Sequence, residues 1–232
     1  MQKNIQSMET MTTMQDAGEQ YEKQSTYVMP APNQVRFITG GQTITLVMGS
    51  CISTVLIGKN SRYVAAANHI MIARKRPDGI IATRDAREQI DEMIDIYRER
   101  FDIAASDLRC LHLVGGGRKT ADESFTVHLE NISETRAILA ENGIDIMFDD
   151  TRSHYFASYS LADGMVSVFI EDQLAGIHLS YIIDLERLFA LDPKLAAGLP
   201  ASAMKPENAG FEGLVERGVI TFITGQRNRP DL

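Results

Sequence analysis

Two cysteines and five histidines are the chain's whole stock for thiol or imidazole chemistry, so the candidates are few. Cys51 follows Gly49 and Ser50. A glycine-containing bend at that point can aim backbone N–H groups into one small volume, so a thiolate on Cys51 would face donors suited to a tetrahedral oxyanion. His69 lies on the next strand but one, a separation that a sheet can close. Brought to the sulfur, its ring could withdraw the thiol proton, leave a thiolate–imidazolium pair and later hand the proton to a leaving group. Residue types alone admit a second reading, in which Cys51 is a small buried apolar residue and His69 a histidine with its hydrogen bonds satisfied. Cys110 sits mid-strand between Arg109 and Leu111 with no turn glycine before it, and reads as core. No CxxC, HxxxH or other close ligand pair is present, so neither a metal nor a cofactor is expected. The run Gly115-Gly116-Gly117 lacks the Lys-Ser/Thr of a P-loop and the spacing of a dinucleotide fingerprint, and reads as a tight strand exit.

The elements that must position these residues follow from periodicity. Thr43–Val47 and Cys51–Ile57 are β-branched runs meeting at Gly49-Ser50, and Tyr63–Ala67 is a third strand running into a continuously apolar stretch through Ile72. Asp85 and Glu88 form a capping pair before Ile90, Met93, Ile94, Tyr97 and Phe101, which recur at helical spacing. Leu108–Val114 is a strand, and Asn131 and Glu134 are expected to cap a second helix that Asn142-Gly143 stops. Strands are expected at Ile144–Phe148, His154–Ser160 and Met165–Ile170, the last two joined across Ala162-Asp163-Gly164 as a hairpin. Beyond Glu171, Ser180–Leu191 reads as a helix, Gly198–Gly213 as loop and Gly218–Thr224 as a short strand. This order implies an α/β layered sandwich of a mixed sheet with two main helices. The expected organisation is a disordered arm over 1–33, a folded domain over 34–171 and an extension of unassigned role over 172–232.

Composition sets the outer limits. The chain has 232 residues, 44% of them apolar and 23% charged, within the range of globular proteins. Its formal net charge of -8 repels phosphate backbones, which disfavours a nucleic-acid role. No apolar run approaches the roughly 20 residues that a membrane span needs, so the chain is not expected to cross a bilayer. Two cysteines and no secretory segment at the start read as reduced thiols in a cytoplasmic protein.

The run Thr45-Leu-Val-Met-Gly-Ser-Cys51, followed by Val64-Ala-Ala-Ala-Asn-His69-Ile-Met-Ile72, resembles the CheD family of chemoreceptor glutamine deamidases. His112-Leu-Val-Gly-Gly-Gly117 is similar to that family's apolar strand ending in paired glycines, and Asn131 with the helix to Gly143 fits its Asn-initiated helix. The resemblance covers roughly residues 34–171. It implies Cys51 as nucleophile, His69 as its proton partner and Thr45 as a third member that holds the imidazole. It implies an oxyanion-binding turn at Gly49 and Ser50, with Asn68, Gly115 and Gly116 as substrate contacts. The implied activity is hydrolysis of glutamine side-chain amides in bacterial chemotaxis, without a cofactor. The implied partners are chemoreceptor cytoplasmic helices and a CheC-type phosphatase. The chain departs from the family at Thr151-Arg-Ser-His-Tyr155, where a paired glycine and a Gly-Arg are usual. That departure and the two extensions motivate an alternative, a non-catalytic module that binds the phosphatase or a receptor; receptor methyl-ester hydrolysis by the same acyl chemistry is a further alternative.

Overall fold

The computed structural model describes residues 27–72, 84–117, 126–153, 155–172, 177–191 and 209–227. Eleven strands are present among them: β1 Tyr27–Val28, β2 Val35–Ile38, β3 Gln42–Met48, β4 Ile52–Lys59, β5 Tyr63–Asn68, β6 Leu108–Gly116, β7 Ile146–Ser153, β8 Tyr155–Ala162, β9 Met165–Asp172, β10 Ile177–Asp184 and β11 Ile220–Arg227. The helices are α1 Ala86–Phe101, α2 Val127–Glu141, α3 Leu185–Ala190 and α4 Ala209–Glu216. The strands form two sheets rather than the one expected, in the orders β1-β3-β8-β9-β10-β11 and β2-β5-β4-β6-β7. Each sheet is mixed, with one parallel pairing apiece, β1 with β3 and β6 with β7.

Three layers result. α1 and α2 bury Ile90, Met93, Tyr97, Ile132, Ile138 and Leu139 against one face of the five-stranded sheet. The other face of that sheet packs on the six-stranded sheet through Val55, Ile57, Ala65, Ala67, Leu46, Tyr159 and Tyr181. A strand covered on both faces has no polar side to show, and so β4 is buried from Ile52 through Gly58. Tyr97 pins α1 to the sheet, its hydroxyl donating to the carbonyls of Leu56 at 2.8 Å and Val64 at 3.0 Å from full burial. The Asp85 capping box starts α1: the Asp85 carboxylate accepts from the Glu88 N–H at 2.9 Å, and the Glu88 carboxylate accepts from the Asp85 N–H at 3.2 Å.

Several boundaries differ from the sequence reading. α2 begins after Thr126, so Asn131 lies inside the helix and not at its cap. Ser180–Leu191 is not one helix: Tyr181 and Ile183 point into the core while Ser180 and Ile182 are half-buried, a period of two, and β10 pairs along its length with β9. Asp184 ends the strand and caps α3, accepting from the Arg187 N–H at 3.0 Å. The loop expected over Gly198–Gly213 lies mostly outside the described residues, and α4 occupies its end. β10 and β11 complete the six-stranded sheet, and Leu179, Leu188, Leu214 and Ile220 belong to the inter-sheet core, so chain beyond residue 171 is built into the same body. At the other end β1 pairs with β3, and Pro30 is buried, which brings residues 27–33 of the expected arm into the fold. Residues 1–26 of that arm lie outside the described residues. The β8–β9 hairpin turns at Asp163-Gly164 with φ of 49° and 75°, the doubly positive turn that Asp-Gly favours. No helix among the described residues is long and apolar enough to cross a membrane.

Candidate active site

Gly49, Ser50 and Cys51 connect β3 of one sheet to β4 of the other. The end of β6 holds this connection in place through backbone bonds. The Gly117 N–H donates to the Gly49 carbonyl at 2.8 Å, and the Gly116 N–H donates to the Cys51 carbonyl at 2.7 Å. Gly115 makes the approach possible. Its φ is +98°, and a side chain there would strike the Cys51 carbonyl. Gly115 and Gly116, expected as substrate contacts, thus serve to seat the cysteine loop.

His69 follows the last residue of β5. Ile52 and Ile70 exchange both backbone hydrogen bonds, at 3.0 and 2.8 Å, as a separate bridge beyond the β4–β5 ladder but in the same register as its Val55–Ala67 pair. Cys51 and His69 each stand one residue before a member of that bridge, so the bridge brings the two segments that carry them side by side. Cys51 packs against the inter-sheet cluster that contains Val55 and Ala67. Cys51 is half-buried and is not in a disulfide. Its thiol therefore sits at the margin of the sandwich, in contrast to Cys110, which is fully buried among helix-side residues and whose thiol burial pushes far up.

The half-buried His69 ring presents Nδ1 to the Pro30 carbonyl at 3.3 Å. A carbonyl only accepts, so Nδ1 carries the hydrogen and Nε2 is left as the basic nitrogen. Burial lowers the ring's pKa and the Pro30 carbonyl partly opposes this, so the surroundings of the ring, apart from any thiolate beside it, favour the neutral form that can take a proton. The backbone around it is tied as well: the Asn33 N–H donates to the His69 carbonyl at 2.7 Å, and the His69 N–H donates to the Gln34 carbonyl at 3.1 Å.

Thr45 is not brought to this pair. It lies on β3 between Ile44 and Leu46, which are buried between the sheets, so alternation turns it to the opposite face with Thr43 and the exposed Val47. The orienting contact expected of it is made instead by Pro30, in a segment whose Pro-rich sequence reads as the end of a tail. Asn68 is not a surface contact either. It is fully buried on the helix side, where its side-chain oxygen accepts from the Thr54 N–H at 2.8 Å and the Thr54 hydroxyl at 3.0 Å. A residue not anticipated in this role is Asn131, 1% exposed on α2. Its side-chain amide donates to the Ser50 carbonyl at 3.3 Å and to the Met71 carbonyl at 3.0 Å.

Two further features lie apart from the pair. His112 is buried between the sheets, 3.1 Å from the Tyr181 hydroxyl and stacked on Phe148, and burial pushes its pKa down to about 3. The Asp150 carboxylate 3.8 Å away is too distant to outweigh that burial. A cleft of about 680 Å³ lies at the far end of the sandwich, lined by Thr39, Arg62, Tyr63, Asp163 and Glu186, and includes none of the candidate residues. Among the described residues no group of three or more His, Cys, Asp or Glu side chains is placed to hold a metal ion. Comparison with protein-family models and with curated proteins finds no match to this chain.

Proposed function

We propose that the chain is a protein-glutamine deamidase of the CheD type, hydrolysing glutamine side-chain amides of chemoreceptor cytoplasmic domains to glutamate. The observation that supports the reading is the bridge between Ile52 and Ile70, the chain neighbours of the half-buried Cys51 and of His69, which brings their two segments together. Nε2 of His69 accepts the Cys51 proton, and the thiolate attacks the amide carbon to form a tetrahedral oxyanion beside the backbone N–H groups of the Gly49–Cys51 turn. The C–N bond breaks as the imidazolium protonates the nitrogen, and ammonia leaves. Water, deprotonated by the neutral imidazole, then attacks the thioester; glutamate is released and the thiol regains its proton. A margin position suits a substrate presented on a helical surface better than a deep pocket would. The partners on this reading are receptor helices and a CheC-type phosphatase, and the compartment is the cytoplasm.

The test is mass spectrometry of receptor cytoplasmic fragments incubated with the protein and with Cys51→Ala and His69→Ala. Conversion of specific glutamines by the parent chain, abolished by Cys51→Ala and strongly reduced by His69→Ala, is the expected result. Unchanged glutamines with the parent chain, or equal conversion by Cys51→Ala, would overturn the reading. Including methyl-esterified receptor in the same assay separates amide from ester hydrolysis.

A further inference from the structure

Asn131 is buried in the second turn of α2, yet its side-chain amide reaches out of the helix layer to two separate backbone carbonyls. One belongs to Ser50, next to the cysteine, at 3.3 Å. The other belongs to Met71, two residues past the histidine, at 3.0 Å. A primary amide has two N–H donors, and here they span the gap between the two loops that carry the pair. We infer that Asn131 is a positioning residue for the Cys51–His69 pair, fixing both the separation of the two loops and the direction of the Cys51 N–H. This rests on the deamidase reading of the same site.

The direction follows from peptide geometry. The Ser50 carbonyl and the Cys51 N–H belong to one planar trans unit and point opposite ways. Asn131 draws the carbonyl toward the helix layer, so the N–H is turned away from that layer, to the side where Cys51 packs between the sheets. An oxyanion formed on the sulfur's substrate therefore meets a donor already aimed, which lowers the barrier because no reorientation is needed during the reaction. The neighbouring unit is fixed in the same manner, since the Gly49 carbonyl is held by the Gly117 N–H at 2.8 Å. The Met71 bond acts on the other loop: with Ile70 paired to Ile52 and Met71 tied to Asn131, the segment after His69 is anchored both to the start of β4 and to α2.

The experiment measures iodoacetamide alkylation of Cys51 against pH in the full chain, in Asn131→Ala and in Asn131→Asp, with peptide mass spectrometry reporting Cys51 and Cys110 separately. Asp keeps the size of the side chain and removes the paired donors, so it separates hydrogen bonding from packing. Cys110 is fully buried and reports whether the core has opened. The parent chain is expected to alkylate Cys51 with a midpoint at least one pH unit below the ordinary thiol value of about 8.5. Both variants are expected to raise that midpoint by a unit or more while Cys110 stays protected. In steady state they should lower kcat by about ten- to a hundredfold with KM little changed, below the ~10²–10³-fold loss of a direct oxyanion donor. A lowered midpoint in the parent that neither variant moves overturns the role of Asn131 alone. A midpoint that moves only when Cys110 also becomes labelled overturns it too, because the residue is then merely structural. An ordinary midpoint in the parent chain overturns the thiolate reading itself, and this role with it.

Discussion

Gly115→Ala is the substitution whose consequence the geometry fixes most closely. The residue has φ +98°, where an L side chain is strained by about 1–3 kcal/mol. Its new methyl group would also meet the Cys51 carbonyl and lie close to Met48, and a backbone carbonyl cannot swing aside as a side-chain tip can. Relief requires the cysteine loop to back away, which breaks the 2.7 Å bond from the Gly116 N–H to that carbonyl, worth about 1 kcal/mol. The total is about 3 kcal/mol, which for a chain of this size lowers Tm by about 6–12 °C. Gly41→Ala supplies the control. Gly41 has φ +83° with nothing within 4 Å of the added carbon, so it carries the backbone strain without the collision and should cost about 1 kcal/mol. Thermal unfolding followed by circular dichroism compares the two, and Cys51 alkylation at neutral pH reports the loop. The reasoning fails if Gly115→Ala loses no more stability than Gly41→Ala, or if alkylation of Cys51 in it matches the parent chain.

Other expectations follow from the same structure. Asn68→Ala leaves the buried Thr54 N–H and hydroxyl without their acceptor, so urea unfolding should show a loss of about 2–3 kcal/mol, with catalysis in the folded fraction unchanged. His112 binds its proton at about 3 when folded against about 6.5 when unfolded, so the unfolded chain holds more protons between those values. Stability should therefore be full above pH 6.5 and fall as pH drops toward 3; urea midpoints at pH 7 and pH 4.5 measure this, and His112→Phe should flatten the dependence. Removing residues 1–33 deletes the Pro30 carbonyl that holds His69, so a chain beginning at Gln34 should lose the alkylation enhancement of Cys51 even where it remains folded by circular dichroism.

Local pattern made much of this fold legible. The runs Thr43–Val47, Cys51–Ile57 and Tyr63–Ala67 became β3, β4 and β5, the Asp85–Glu88 capping box opened α1, and Asp163-Gly164 turned a hairpin. These are features decided within a few residues of themselves. Pairing between distant strands was not visible in the same way. Nothing in the spacing of β-branched residues says that there are two sheets, or that β10 and β11 extend one of them past residue 171. Ser180–Leu191 misled because Tyr181, Leu185 and Leu188 fit a helical stripe, while the alternation of Tyr181 and Ile183 is as good a strand; pairing with β9 decides between them.

The site divides along the same line. The small stock of cysteine and histidine and the Gly-Ser bend narrow the candidates to Cys51 and His69, and it is the family resemblance that selects the catalytic reading of them. Thr45 enters through the family resemblance, which carries a residue type and not a direction, and two strand residues six apart across a turn need not share a face or a sheet. Pro30 and Asn131 escaped notice because each acts through a long-range contact: one as a backbone carbonyl that any residue could supply, the other as an asparagine whose type suggests a helix cap. The triple glycine at residues 115–117 was readable as a strand exit, but its reason, close approach to the Cys51 carbonyl, needed the third dimension.

The central claim is that Cys51 and His69 titrate as one unit. Histidine nitrogen chemical shifts of His69, followed by NMR against pH in the parent chain and in Cys51→Ala, measure this directly. A thiolate beside the ring holds the imidazolium proton to higher pH, so the His69 midpoint should be higher in the parent chain than in Cys51→Ala, where burial alone keeps it low. Superimposable titrations, both below the ordinary histidine value, would contradict the account.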